Sequence, residues 1–179
     1  MLEFLRFWKG DVYFYSGMVL LTPVLLLMKM GLLPRYRAKE LLLTLFISGK
    51  RFSDFELACD LFVDKRLDKL IRPAALRAID EYRKKKYRIV IVSASAKFWI
   101  RKWTQSKEIE LIASDLEIKN NKMTGRLSGL NCNGPEKVNR IKNLIKLEDY
   151  DEIIAYGDSR GDAPMLELAD RSYFKPFRK

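Results

Sequence analysis

The sequence predicts an α/β fold: a Rossmann-like parallel sheet preceded by an N-terminal helical region. Three observations carry this. The apolar runs Arg88–Val92 (RIVIV) and Ile153–Tyr156 are the length of buried strands and end abruptly at small or acidic residues. Helical periodicity precedes the first run, over Pro73–Lys86, and returns between the two from Pro135 to Ile145. Residues before about 70 show helical patterning only, which divides the chain into a helical segment 1–71 and an α/β segment 72–179.

In chain order, Leu2–Trp8 starts the first helix. Val12–Leu33 follows, apolar except for Lys29 and flanked by Arg6, Lys9, Arg35 and Arg37. A bilayer span takes ~20 apolar residues, so this stretch is barely long enough, and Pro23 and Lys29 interrupt it. It is too long for a signal-peptide core and lacks a small-residue cleavage site. A buried helical hairpin, an interfacial membrane helix and a single span are the three readings, and the first two fit better than a true span. Arg37–Ile47 and Phe52–Phe62 read as amphipathic helices, with Ser53 expected as an N-cap.

The α/β pattern begins near Arg72. Pro73–Lys86 carries Leu76, Ile79 and Tyr82 on one helical face, and RIVIV is a buried strand ending at Ser93. Ala96–Trp103 is expected as a helix and Glu110–Ala113 as a short strand. Leu116–Leu127 resembles a hairpin turning at Asn120-Asn121. Pro135 opens a helix with Val138, Ile141 and Leu144 on one side, and Ser172–Phe174 suits an edge strand. There are no internal repeats and no low-complexity segments.

Composition narrows the chemistry. At 48% hydrophobic residues the chain can bury a sizeable core. Cys59 and Cys132 show no metal or redox spacing, which suits a reducing, cytoplasmic compartment. With no histidine, Ser-His and Cys-His catalysis and His-ligated zinc are excluded, so an enzyme here works with carboxylates, hydroxyls and lysine. The net charge of +11 favours phosphate-bearing substrates or an anionic membrane face. Nucleic acid is not expected as a partner, because there is no binding motif and aromatics do not interleave with the basic residues.

The densest chemistry lies in Asp151–Ala169 (DEIIAYGDSRGDAPMLELA), a strand, an acidic loop and a short helix. Asp158 and Asp162 fall just beyond the carboxyl end of the strand, where open α/β sheets bind ligands. Mg²⁺ takes one or two such carboxylates and completes its shell with water and phosphate. Ser93 ends the earlier strand, so its hydroxyl and the amides of Ala94 and Ser95 are expected to face a ligand at the start of the next helix. Lys137 lies in the first turn after Gly134-Pro135, where an ammonium can neutralise a phosphate oxygen. Singly, these are an N-cap, a surface lysine and a turn; in this order, each at a strand end or helix start, they form a pattern.

That pattern resembles the haloacid dehalogenase superfamily, in its phosphoserine-phosphatase-like branch with a helical cap. VSAS at 92–95 looks like the second motif, Lys137 in GPEKVNRI like the third, and GDSRGDAPML at 157–166 like the fourth, which is the most specific. Residues 1–71 occupy the position of the cap, so the resemblance covers nearly the whole chain. One departure is large. The first motif, a D-x-D-x-T/V whose leading aspartate is the nucleophile, is absent. The D-x-D at Asp149–Asp151 precedes a strand, and Asp11 has no strand ahead of it. The chain looks like a member missing its first strand, roughly ten to twenty residues for a strand with its loop.

The resemblance implies a Mg²⁺-dependent phosphomonoester hydrolase acting through an aspartyl-phosphate. Asp158 would hold the metal, Ser93, Ala94, Ser95 and Lys137 would bind phosphate, and Lys137 with Asp162 would complete the catalytic set. Without the nucleophile, little or no turnover is expected of these residues. The substrate would be a small-molecule or lipid phosphate, since the apolar stretch beside basic residues resembles a branch linked to phospholipid-type phosphates. Membrane contact through 12–33, peripheral to the inner face, is the matching expectation. The alternative is a truncated, non-catalytic phosphate-binding or interaction module. A receiver-type signalling domain is rejected, because its acidic pair comes early in the chain whereas here the acidic loop comes last.

Overall fold

The structure, a computed structural model, describes residues 1–178. Its elements in order are α1 (Leu2–Lys9), α2 (Asp11–Leu20), α3 (Thr22–Lys29), α4 (Arg35–Ile47), α5 (Phe52–Phe62), a π-helical turn at Val63–Leu67 and a short α6 (Asp68–Leu70). Then come α7 (Pro73–Lys84), β1 (Val90–Ala96), α8 (Arg101–Ser106), β2 (Glu110–Lys119) and β3 (Lys122–Ser128). The chain closes with α9 (Pro135–Leu144), β4 (Ile154–Gly157), α10 (Ala163–Leu166) and β5 (Arg171–Phe174). Two compact units result: one of residues 1–68, 98–103 and 115–129, the other of 69–97, 104–114 and 130–178.

The first unit is wider than the helical segment expected at 1–71, because the β2–β3 hairpin and residues 98–103 pack into it. Its centre is aromatic. Phe4 is stacked on Trp99 at 5.2 Å and meets Phe55 and Phe62 edge-on at 5.7 and 5.6 Å. The hairpin turns at Asn120 and Asn121, both in the left-handed region (φ 49° and 57°), as a two-residue Asn-Asn turn requires. Gly125 (φ 83°) lets β3 lie directly against the backbone of Thr44 in α4, where a Cβ would collide. The N-terminus of α5 departs from expectation. The cap position falls to Arg51, without a side-chain cap, and the Ser53 hydroxyl points to Asp54 instead.

The apolar stretch 12–33 forms α2 and α3, bent by 55° between them. Thr22-Pro23 opens α3, and proline in a first helical turn has no amide to lose. No single described helix is long and apolar enough to cross a membrane, although this bent pair passes by length and composition. Phe14 and Leu21 are buried, but Val12, Val19, Leu20, Leu26, Leu27, Met30 and Leu32 are exposed.

The second unit holds the α/β elements. β1 and β2 run parallel, with Val90 opposite Glu110 and Ser93 opposite Ala113. β4 and β5 also run parallel, with Ile154 opposite Arg171 and Gly157 opposite Phe174. The expected single parallel sheet is therefore divided into two pieces among the described residues: β1-β2-β3, and β4-β5. Ile112, Cys132, Ile141 and Met165 form the core between strands and helices, with Val90, Val92, Ile145 and Leu168 packed on it. Two expectations are corrected around β1. The strand continues past Ser93 to Ala96, and the segment expected as a helix at 96–103 is a 3₁₀ turn at Lys97–Trp99 before α8. The strand expected at Glu110–Ala113 runs on to Lys119 because it feeds the hairpin.

Candidate functional site

The carboxyl ends of β1 and β4, the start of α9 and the loop after β4 enclose a polar cavity of about 400 Å³. Ser93, Ala94, Ser95, Lys137, Asp158 and Asp162 all line it. The structure thus gathers in one place every phosphate-, metal- or catalysis-type residue named from the sequence.

Lys137 is the anchor. Pro135 opens α9 and Gly134 precedes it at φ 59°, which turns the chain sharply into the helix and aims Lys137 inward. Its side chain is only 4% exposed. The ammonium donates to the Val92 carbonyl at 2.6 Å and pairs with Asp162 Oδ1 at 3.0 Å. An ammonium has three N–H groups, so one is left for a ligand in the cavity.

Asp162 is held from the other side. Its Oδ2 accepts from the Asp158 amide (3.1 Å), the Ser159 amide (2.9 Å) and the Ser159 hydroxyl (2.8 Å). Burial acts to raise the Asp162 carboxyl, but the hydrogen bonds from Ser159 and Lys137, together with the Lys137 charge, outweigh it and hold the group below its usual value. Both oxygens are engaged, so Asp162 fixes Lys137 and joins it to the acidic loop. The glycines flanking this loop are there for space: a Cβ on Gly157 would meet the Asp162 Cβ at 2.7 Å, and one on Gly161 would strike the Asn133 side chain. The Gly134 amide donates to the Gly161 carbonyl at 2.9 Å, joining the two loops.

Ser93 differs from its expected setting. It does not precede a helix N-terminus; it lies inside β1 where the pairing with β2 shifts, and its hydroxyl accepts from the Ser95 amide at 3.1 Å. The hydroxyl hydrogen stays available to a ligand, whereas the Ser95 amide is turned back on Ser93. Asp158 is the exposed carboxylate, with its side chain 55% accessible and in contact with Arg178 at 3.1 Å.

Three supporting residues escape a sequence reading. Ser114 is wholly buried; its hydroxyl accepts from the Cys132 amide and lies 3.1 Å from the Ala94 carbonyl and 3.0 Å from Asn131 Oδ1. Arg140 donates to the carbonyls of Ala113 and Leu130, each at 2.7 Å. Ser159 supplies the capping box that closes the acidic loop. Of these only Ser159, three residues before Asp162, left a sequence signal.

A divalent cation can be tested against this donor set. Among the described residues no cluster of three or more acidic or cysteine side chains could enclose a metal. Of the two carboxylates that line the cavity, Asp158 is the exposed one, with Oδ2 paired to Arg178, and one carboxylate is within what Mg²⁺ takes from a protein when water and phosphate fill its shell. The residues fit an ion held by Asp158 at the cavity's edge.

This geometry belongs to a hydrolase family. The model of the haloacid dehalogenase-like hydrolases matches residues 1–167, and the chain is a member of that family. The protein CicA of Caulobacter vibrioides is 28% identical over 173 residues, which are 96% of this chain and 77% of CicA. A Bordetella pertussis protein of unknown function shares the fold with a TM-score of 0.74 at 22% identity, over 84% of this chain and 70% of that one. A probable phosphoserine phosphatase from Vibrio cholerae shares it with a TM-score of 0.71 at 16% identity, over 97% of this chain and 52% of that one.

The depressed Asp162 carboxyl makes a pH prediction. Its contribution to stability is present above the ordinary aspartate value of 3.8 and is lost as pH falls through the lower native value. Urea denaturation at neutral pH and below 3.8 measures it. Asp162→Asn is expected to cost about 3 kcal/mol at neutral pH, because it leaves Lys137 buried without a counter-charge. The variant should also show a flatter loss on acidification, and an unchanged pH slope would contradict this account of the site.

Proposed function

We propose that the cavity is a phosphate site of phosphatase type, in which these residues supply binding and charge stabilisation but no nucleophile. The observation that supports it most is the buried Lys137 ammonium, fixed by a strand carbonyl and a carboxylate where it lines the cavity. A buried cation held this way costs several kcal/mol of desolvation, and a bound anion repays part of that cost. Ser93 donates its hydroxyl to a phosphoryl oxygen and Lys137 neutralises the adjacent one. Asp162 acts on Lys137 as a positioning residue.

Asp158 is the residue that would hold Mg²⁺, which when bound supplies charge neutralisation at the phosphoryl oxygens. By the resemblance, attack on phosphorus falls to a carboxylate. Asp162 is committed to Lys137 and Ser159, and Asp158 lies where a cation would sit, so neither is placed for that role. The reading is therefore a phosphomonoesterase site competent to bind and, as this chain stands, without robust turnover.

Titration of the purified chain with inorganic phosphate by calorimetry tests the binding. Lys137→Met is expected to weaken it at least tenfold, about 1.4 kcal/mol. Equal affinity of the variant and the parent would overturn the proposal. Assay with an aryl phosphate and Mg²⁺ is expected to show no more than trace hydrolysis, and robust metal-dependent turnover would refute the statement about the nucleophile.

The helical unit favours a phosphate carried on a lipid. Val12 is 87% exposed, Val19 72% and Met30 70%, on a bent helix pair bordered by Arg6, Lys9, Lys29, Arg35 and Arg37. Exposed apolar side chains flanked in sequence by cations suit the interface of an anionic bilayer. Co-sedimentation with vesicles containing an anionic phospholipid is expected to pellet the protein, and Val19→Glu with Leu26→Glu to release it. Protein that stays in the supernatant with such vesicles would show that the stretch does not dock on lipid.

A further inference from the structure

Of the two carboxylates in the polar cavity Asp158 is the exposed one, and a cation of the chain itself already sits on it. Arg178 Nη2 donates to Asp158 Oδ2 at 3.1 Å, and both side chains are half exposed. An exposed ion pair is ordinarily worth little, because two side chains lose freedom for a small Coulomb gain. This one is set up by the backbone. Lys175, which follows β5, takes the left-handed region (φ 57°) and turns the chain along the end of β4. Its amide donates to the Gly157 carbonyl at 2.7 Å, and the Arg178 amide donates to the Lys175 carbonyl at 3.2 Å, closing a turn. Within that turn Phe177 lies flat on Tyr156, with ring centroids 5.2 Å apart and an interplanar angle of 17°. Tyr156, Gly157 and Asp158 are consecutive, so the end of β4 grips the segment at each successive residue. Lys175, Pro176 and Phe177 accordingly line the polar cavity.

We infer that Arg178 is an internal counter-ion that holds the place of a divalent cation at Asp158 and must leave for that cation to bind. The inference rests on the reading of Asp158 as the residue that would hold Mg²⁺. Two requirements meet at this carboxylate. Without a divalent cation, Asp158 and Asp162 bring two negative groups into one tight loop, where the Asp158 amide itself donates to Asp162 Oδ2 at 3.1 Å. Like charges so near oppose each other, and Lys137 is already engaged by Asp162 at 3.0 Å. The second positive charge comes from Arg178. With a divalent cation on Asp158, the same guanidinium becomes a like charge beside the ion, and it is repelled.

The two occupants therefore exclude each other. The apparent affinity of the site for a cation falls by whatever Arg178 contributes to the cation-free form. Among the described residues Arg178 has no other carboxylate partner, so its side chain can move into water while the backbone turn stays in place.

Mn²⁺ is the probe, titrated into the intact chain and followed by the electron paramagnetic resonance of the free ion. Arg178→Gln is expected to bind Mn²⁺ about fivefold more tightly than the parent, the upper end for an exposed ion pair. Lys175→Gln removes the same charge from the lining of the same cavity without an ion pair to Asp158, and it is expected to stay within about twofold of the parent. Equal affinity of Arg178→Gln and the parent, with both weakened by Asp158→Asn, would overturn the inference and leave the reading of Asp158 standing. A gain as large in Lys175→Gln would also overturn it, since net charge alone would then account for the effect. No Mn²⁺ bound by either the parent or Arg178→Gln, or binding that survives Asp158→Asn, would overturn the inference together with the reading of Asp158.

Discussion

The second unit is organised by the burial of one positive charge. Lys137 sits at 4% exposure, and an ammonium taken out of water costs several kcal/mol unless its surroundings answer it. The answer comes from three separate pieces of chain. α9 carries the lysine, β1 gives the Val92 carbonyl, and the loop after β4 gives Asp162. Asp162 in turn needs the amides of Asp158 and Ser159, which need the tight path that Gly157 and Gly161 allow. The polar cavity exists because that chain of requirements closes around it.

This explains what the sequence made legible and what it hid. Asp158 and Lys137 could be placed because one follows a strand and the other starts a helix, and strand ends are where such sheets collect ligands. The Asn120-Asn121 hairpin was equally readable, since few residues other than asparagine and glycine tolerate positive φ twice in succession. The setting of Ser93 was not. Its strand runs three residues further because Ser114, buried one strand over, reaches the Ala94 carbonyl, and cross-strand contacts leave no local signature. Ser53 was misread for a related reason: Arg51 pairs as an isolated bridge with Lys122, so the chain enters α5 two residues earlier than a serine cap would set. The extra reach of the helical unit came from Gly125 packing on Thr44, again a contact between distant residues.

The strands themselves carry a tension between pattern and burial. RIVIV and IIAY have the composition of sheet interiors, and the structure leaves them half-covered beside an open slot. Local preference and tertiary environment normally agree in a natural sequence. Their disagreement here falls on the two strand stretches that line one cavity. The exposed apolar side chains of α2 and α3 are a second disagreement of this kind, in the other unit, and basic residues flank them in sequence.

The central proposal is that the buried Lys137 and Ser93 together take an anion in the polar cavity. A crystal of the chain soaked in tungstate, read by anomalous scattering, addresses that claim directly. The account predicts a tungstate within hydrogen-bond distance of Lys137 Nζ and Ser93 Oγ. Tungstate found only against exposed arginines and lysines, with the cavity empty of it, would contradict the account.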